Sequence, residues 1–185
     1  TGHTTLLGDI NPGTNPSLPG YLLPFMEVGN HIIFDASNQT YGTELWAVNK
    51  TAQNWEAILV CDIWHGSQSG QPSSNSDNPA ILGDRIYFSA RDQNYGSELW
   101  SFNSADQTCT RKSDIRPGSQ GSNPGSVSEG FHKIGGIIAF SANDGTSGNE
   151  LWYYSPENST SWLSADLTTG VISSYPGQYL SLIHI

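Results

Sequence analysis

The tripeptide Glu-Leu-Trp occurs three times in this chain of 185 residues, each time with its glutamate two residues after a glycine. The copies read GTELWAV at 42–48, GSELWSF at 96–102 and GNELWYY at 148–154, and their glutamates are 54 and 52 residues apart. A motif that returns at a fixed interval of this kind is typical of proteins built from stacked copies of one structural unit. This periodicity constrains the fold more than any other feature of the sequence.

Two further motifs repeat at the same interval. An aspartate followed by an aliphatic residue occurs at Asp9, Asp62, Asp114 and Asp166, with spacings of 53, 52 and 52 residues. A glycine-led apolar segment precedes each Glu-Leu-Trp, as GNHIIFDA at 29–36, GDRIYFSA at 83–90 and GGIIAFSA at 135–142. Three motifs that share one register define a repeat unit of about 52 residues.

Each unit divides into four short segments separated by Gly, Asn, Asp, Ser and Pro, the residues that favour turns. The predicted strands cover 22–28, 31–36, 44–49 and 55–63 in the first unit, 78–82, 85–90, 98–103 and 108–115 in the second, and 131–134, 137–142, 150–155 and 160–167 in the third. In the third strand Glu44, Trp46 and Val48 point to one face, and Leu45 and Ala47 to the other. Because both faces carry apolar residues, we expect neighbouring sheets to cover both.

The expected fold is all-β, a β-propeller-like array of four-stranded antiparallel blades, with a linear stack of small sheets as the alternative. Residues 1–10 are interpreted as the end of a preceding unit and 168–185 as the start of a further one, with partial strands at 4–10 and 179–185. The three full units then span 11–63, 64–115 and 116–167. Further repeat units, in the same chain or in an oligomer, are therefore expected partners.

The segment FSANDGTSGNELW at 140–152 resembles the core of the ELWxxDGT-repeat family, which is found in large bacterial and archaeal surface or secreted proteins. SDIRPGSQGSNPGS at 113–126 is similar to another conserved segment of that family, D-I-x-P-G-x-x-x-S-x-P. The resemblance covers nearly the whole chain, but AVNKT, SFNSA and YYSPE stand where the family has x-x-Asp-Gly-Thr. It implies a propeller-like, repeat-built architecture at the cell surface or outside the cell, and it implies no catalytic residue.

Composition excludes some classes of partner. The chain has 17 acidic and 7 basic residues, a net charge of −10, and therefore repels the phosphate backbone of nucleic acids. No stretch approaches the roughly 18–20 consecutive apolar residues of a membrane-spanning helix.

Two cysteines do not define a disulfide framework, so we expect Cys61 and Cys109 to be semi-buried free thiols, with a disulfide as the alternative.

The loop between the second and third strands places an oxygen-bearing side chain six residues before each glutamate, at Asn38, Asp92 and Asp144. Calcium binds several such oxygens, but no unit has the spacing of a known calcium loop. We therefore expect these side chains to cap the hairpin turn, with calcium as the alternative and no other cofactor. The repeated glutamates are expected to anchor this hairpin and the repeated tryptophans to pack between sheets: Glu44, Glu98, Glu150, Trp46, Trp100 and Trp152.

The junctions between units carry the other candidates. The repeated aspartates are expected to form Asx-turns that fix the crossover, and a ring of carboxylates around a channel is the alternative. Trp64 breaks the repeat in DIWHGSQSG at 62–70, where an exposed indole beside His65 could stack on a sugar. Tyr41 and Tyr95 share one position of the hairpin loop and could contact the same kind of ligand. For Trp64 we expect packing within the loop, with stacking on a sugar as the alternative.

Three functions are consistent with the pattern. The first is a non-enzymatic extracellular scaffold for binding or adhesion, in which variable inter-strand loops recognise carbohydrate or another surface protein. The second is a fragment of a propeller-type glycosidase or lyase, which would need a pair of carboxylates about 5–10 Å apart. The third is a structural spacer of a large surface protein. No triad, phosphate loop or zinc spacing points to catalysis, so the first function is expected.

Overall fold

The computed structural model describes residues 4, 6, 8–53, 55–74 and 78–176 of the chain. Within these residues the protein contains twelve β-strands and no helix, so no helix there is long and apolar enough to cross a membrane. The strands form three separate four-stranded sheets. The predicted all-β class is therefore confirmed.

Each sheet is an antiparallel meander whose strands lie side by side in chain order. Sheet 1 contains β1 (Met26–Val28), β2 (His31–Asn38), β3 (Gly42–Asn49) and β4 (Ala57–Cys61). Sheet 2 contains β5 (Ala80–Leu82), β6 (Arg85–Asp92), β7 (Gly96–Asn103) and β8 (Thr108–Arg111). Sheet 3 contains β9 (His132–Ile134), β10 (Ile137–Asn143), β11 (Asn149–Ser155) and β12 (Thr160–Ala165).

All twelve predicted strands of the three full units are present, although the first and fourth strands are shorter than expected. In sheet 1 the prediction began the first strand at residue 22 and ended the fourth at residue 63, whereas the strands run from Met26 and to Cys61. Of the predicted partial strands, 179–185 lies outside the described residues. The segment 4–10 is described only in part, and its described residues are not in a strand.

The register of the two central strands is the same in every sheet. A phenylalanine of the second strand faces the tryptophan of the Glu-Leu-Trp motif across the ladder, as the pairs Phe34–Trp46, Phe88–Trp100 and Phe140–Trp152. Directly opposed residues of an antiparallel pair lie on the same face of the sheet. We call this face the Trp face and the opposite one, which carries Leu45 in sheet 1, the Leu face.

The sheets stack so that the Leu face of one meets the Trp face of the next. Ile33 and Leu45 of sheet 1 share a buried core with Phe88 and Phe102 of sheet 2, and Trp100 packs against it. A core of this kind excludes water from both sheets, and each large side chain buried in it contributes about 1.5–3 kcal/mol. Both faces of the central sheet are thus covered.

The second interface repeats the first. Tyr87 and Leu99 on the Leu face of sheet 2 share a core with Phe140 and Tyr154 of sheet 3, and Trp152 packs against it. The rings of Tyr87 and Tyr154 lie 5.7 Å apart between their centroids. The Trp face of sheet 1 is covered differently, because Ile10 of the N-terminal segment packs there against Trp46 and its neighbours.

The expectation of free thiols is wrong, because Cys61 and Cys109 form a disulfide. Cys61 ends β4 and Cys109 lies in β8, and these outermost strands of sheets 1 and 2 are in contact. The two Cα atoms are 6.0 Å apart, within the range that a disulfide requires. Sequence spacing could not indicate this pairing, since the two residues become neighbours only when the sheets stack.

The second interface has serines at the corresponding positions. Ser113 precedes Asp114 as Cys61 precedes Asp62, and Ser161 pairs with Tyr154 as Cys109 pairs with Phe102. Both serines line an open crevice of about 300 Å³ between sheets 2 and 3. The first interface is therefore covalently closed where the second is open.

Replacing the disulfide with the serine pair of the second interface should destabilise the protein without changing its fold. We expect the double variant C61S/C109S to lose about 2–4 kcal/mol of unfolding free energy, because a disulfide restricts the unfolded chain. Urea unfolding under non-reducing conditions measures this loss. Reductant should lower the stability of the native protein and leave the variant unchanged, and equal stabilities without reductant would contradict the prediction.

Candidate functional site

The sheets are joined by loops of one common conformation. The inter-sheet loops, 62–72 after β4, 114–124 after β8 and 166–176 after β12, correspond in sequence to the segment 9–19 before β1. In each, the residue before the final proline has a positive φ, which is uncommon outside glycine. These residues and their φ angles are Leu18 (46°), Gln71 (48°), Asn123 (50°) and Tyr175 (49°).

A buried glutamate holds each of these loops. The carboxylate of Glu44 is fully buried and accepts the backbone N–H groups of Ile63 (2.8 Å), Trp64 (3.3 Å) and Gly70 (2.6 Å). An inter-sheet loop would otherwise bury backbone donors without partners, and each such donor costs about 1–3 kcal/mol. Glu44 therefore acts as the hydrogen-bonding centre around which the first loop is folded.

The glutamates of the other two sheets do the same. Glu98 accepts the backbone N–H groups of Ile115, Arg116 and Ser122 at 3.2, 3.3 and 3.0 Å. It also accepts the hydroxyl of Ser113 at 2.6 Å. Glu150 accepts the N–H groups of Leu167 and Ser174 at 3.4 and 2.9 Å, together with the hydroxyls of Thr168 and Ser174.

The glutamates thus bind the inter-sheet loop, and the expectation that they anchor the preceding hairpin is wrong. The reason is the meander itself. Leu45, the neighbour of Glu44, pairs with Cys61 at the end of β4, so the chain leaving β4 passes directly beside the carboxylate. The unpaired N–H groups nearest to the glutamate are therefore those of residues 63–70, about twenty positions further along the chain.

The same loops also bind the following sheet. The N–H of Gly70 donates to Glu44 of sheet 1, while its carbonyl accepts the N–H of Arg91 of sheet 2 at 2.8 Å. Ser122 repeats the arrangement, donating to Glu98 of sheet 2 and accepting from Asn143 of sheet 3 at 3.0 Å. One residue of each of these two loops therefore joins two neighbouring sheets through its backbone, and we call this arrangement the inter-sheet joint.

The glycine of the Glu-Leu-Trp motif allows this close approach. Gly42, Gly96 and Gly148 have φ angles of 69°, 64° and 74°, the left-handed region that other residues rarely adopt. A Cβ atom at any of them would overlap the backbone of the adjacent inter-sheet loop, at Gln68, Ser119 and Ile172 respectively. The repeated glycine is thus explained by the turn and by the loop packed against it.

Removing the carboxylate of the second joint should destabilise the protein strongly. We expect E98A to lose about 3 kcal/mol or more of unfolding free energy, because several buried donors would lose their acceptor. Urea unfolding of E98A and of the control E157A, which truncates an exposed glutamate, measures the difference. A loss no larger than that of E157A would show that the joint does not depend on this carboxylate.

Burial of Glu44 also changes its titration. Desolvation raises the pKa of Glu44 to about 7, against the opposing effect of its three backbone hydrogen bonds, and the carboxylate of Asp62 raises the pKa further. The unfolded chain has the ordinary value of 4.5. Between these two pH values the folded protein retains a proton that the unfolded protein has lost. The stability contributed by Glu44 is therefore fully present below pH 4.5 and is lost as the pH rises through about 7.

Glutamine does not titrate, so the variant E44Q should lack this pH dependence. We expect the Tm of the native protein, measured relative to that of E44Q, to fall as the pH is raised from about 4.5 to about 7. Thermal unfolding of both proteins across this range gives the comparison. If the two Tm profiles run parallel, the folded pKa of Glu44 is not raised.

The hairpins between the second and third strands are capped as predicted. Asn38 accepts the N–H of Thr40 at 2.7 Å, Asp92 accepts those of Asn94 and Tyr95 at 2.8 Å each, and Asp144 accepts those of Thr146 and Ser147 at 2.8 and 2.7 Å. No group of three or more His, Cys, Asp or Glu side chains that could hold a metal ion occurs within the described ranges. Calcium binding at these hairpins remains a prediction.

Within the part of the chain that the structure describes, the repeated aspartates at the junctions show no hydrogen bond of the expected Asx-turns. Asp62 is within 3.4 Å of the exposed His65 through Oδ2, and its buried Oδ1 has no hydrogen-bond partner among the described residues. Asp114 lies 3.8 Å from Arg111, while Asp9 and Asp166 are exposed. The buried glutamates supply the acceptors that an Asx-turn would have supplied, so the loops do not need these carboxylates.

Trp64 is partly buried and one of its faces is occupied. The guanidinium of Arg91 lies 4.7 Å above the centre of its indole, a cation–π contact across the first joint. His65, its neighbour in the sequence, is exposed and contacts Asp62 instead. The side chain of Trp64 thus contacts Arg91 of the next sheet, whereas that of His65 contacts Asp62.

Trp64 and Arg91 form one wall of a polar cleft of about 310 Å³. The first inter-sheet loop contributes Gln71, and Ser74 follows just after it. The β6–β7 hairpin contributes Asp92 and Gln93, and the second inter-sheet loop contributes Ser119, Gln120 and Asn123. Amide and hydroxyl groups, which both donate and accept hydrogen bonds, dominate this lining. The cleft is where the loops of two successive joints and one hairpin converge.

The two tyrosines lie outside this wall. Tyr95 is partly buried beneath Arg111, whose guanidinium is 3.3 Å from the ring centre, and Tyr41 is partly buried at the corresponding place in the first hairpin. Neither lines the cleft. Sequence reasoning found Trp64 because it breaks the repeat. The same criterion applied to the second strand would have drawn attention to Arg91, because the other units have Ser37 and Asn143 at this position.

Comparisons of this chain with protein-family models, with curated proteins and with solved structures found no match. Membership of the ELWxxDGT-repeat family therefore remains a prediction that rests on the motifs.

Proposed function

We propose that this protein is a non-enzymatic, extracellular repeat scaffold that binds carbohydrate in the cleft beside Trp64. The observation that carries the proposal is the convergence of an indole, a guanidinium and several amide side chains on one cleft of about 310 Å³. Sugars present hydroxyl groups that amides can bind, together with apolar ring faces that pack on aromatic side chains. A rigid stack of sheets holding variable loops is a suitable support for such a site.

Binding is favoured over hydrolysis by the charges of the cleft. Glycoside hydrolysis generally needs two carboxyl groups about 5–10 Å apart. Among the described residues that line the cleft, Asp92 is the one that carries a carboxylate. Its Oδ1 already accepts two backbone N–H groups. This arrangement supports a binding role better than that of a glycosidase or lyase fragment.

The disulfide supports an extracellular location. Disulfides persist in oxidising environments such as the cell surface and are rare in the cytosol. The family resemblance in the sequence points to the same location and to a propeller-like arrangement of the sheets. Three sheets that stack Leu face to Trp face, with like strands adjacent, are compatible with successive blades of a propeller.

A glycan array tests the proposed function. We expect the protein to bind at least one carbohydrate, and the variant W64A to bind it at least about tenfold more weakly, which corresponds to roughly 1.4 kcal/mol. W55A is the matched control, because it removes another partly exposed indole that does not line this cleft.

Thermal unfolding of each variant establishes that the sheets remain folded. Equal loss of binding in W64A and W55A would place the site elsewhere. The absence of any signal above background with the native protein would reject carbohydrate binding and favour a structural spacer.

A further inference from the structure

We propose that the cleft selects sugars that carry a carboxylate, such as uronic or sialic acids, and that Arg91 binds this group. The inference rests on the proposed function and names the class of carbohydrate that the same cleft accepts. It follows from the charge, the hydrogen bonding and the position of one side chain.

Arg91 has no acidic partner among the described residues, although the chain carries 17 acidic and 7 basic residues. With the residues that the structure describes, its guanidinium makes one hydrogen bond, to Oε1 of Gln71 at the long distance of 3.5 Å. A guanidinium offers five N–H donors in a plane. Most of the hydrogen-bonding capacity of Arg91 is therefore available to a ligand.

The neighbouring carboxylate is not paired with this guanidinium within the described part of the chain. Asp92 is the next residue, but its Oδ1 accepts the N–H groups of Asn94 and Tyr95 and holds the turn of the hairpin. Both side chains line the cleft, but no ion pair joins them within the described ranges. The cleft therefore contains a guanidinium without an ion pair among the described residues, beside a carboxylate whose Oδ1 holds the hairpin turn.

The position of the guanidinium is fixed from two directions. The backbone N–H of Arg91 donates to the carbonyl of Gly70 in the first joint, and the side chain of Arg91 lies over the indole of Trp64. The backbone of Trp64 is held in turn by Glu44. An arginine held in this way loses less freedom on binding, and its planar group matches the two oxygens of a carboxylate.

The overall charge limits the ligand to one or a few carboxylates. A net charge of −10 repels a densely charged polyanion at a distance. A single carboxylate on an otherwise neutral sugar meets little of this repulsion and can pair with Arg91 at contact distance, while the amides of the cleft bind its hydroxyl groups. The structure therefore favours an acidic sugar unit over a sulfated or phosphorylated chain.

Paired ligands that differ only in charge test this inference. Trigalacturonate and its methyl ester form one pair, and a sialyllactose and its sialic acid methyl ester form another, so that esterification removes the charge and keeps the ring. We expect the native protein to bind the acidic member of at least one pair about tenfold more tightly than its ester, a preference of the size that charge-assisted hydrogen bonds produce.

The variant R91Q should lose this preference and bind acid and ester with equal affinity. K133Q is the control, because it lowers the net charge by the same amount at an exposed residue that does not line this cleft, and it should keep the preference. Equal binding of acid and ester by the native protein would overturn the carboxylate inference while leaving carbohydrate binding intact. Failure to bind any member of either pair would overturn the carboxylate inference, and failure to bind any sugar on the array as well would overturn both proposals.

Discussion

The buried glutamate of the Glu-Leu-Trp motif is the interaction on which the rest of the structure depends. Its carboxylate accepts the backbone N–H groups of a loop that would otherwise be buried without partners, and burying such donors unpaired is costly. Glu44, Glu98 and Glu150 are all fully buried, and each holds the loop that follows its own sheet. A structural acceptor of this kind explains why the motif recurs once in every unit.

The joint formed by this glutamate sets the spacing of the sheets and the position of the cleft. Gly70 donates to Glu44 and accepts from Arg91, so a single peptide residue connects the loop that carries Trp64 to the strand that carries Arg91. The contact between the indole and the guanidinium follows from this connection. The scaffold and the candidate site are therefore consequences of the same hydrogen bonds, and damage to the joint would be expected to disturb both.

The two interfaces between sheets differ at their outer edges. A disulfide closes the outer edge of the first, where Cys61 and Cys109 meet, and serines leave a crevice at the corresponding edge of the second. The apolar cores of the two interfaces are otherwise built from corresponding strands. The first interface is the more constrained of the two, and it is also the one that Trp64 and Arg91 span.

The sequence by itself determined the strands, their order and the faces they bury, because alternation and turn residues act over a few neighbouring positions. It also indicated Trp64 as an exception to the repeat. Only the tertiary structure decided which N–H groups each glutamate accepts, that Cys61 pairs with Cys109, and that Arg91 lies over Trp64. These contacts join segments that are about 20 to 50 residues apart, and it is the stacking of one sheet on the next that brings those segments together.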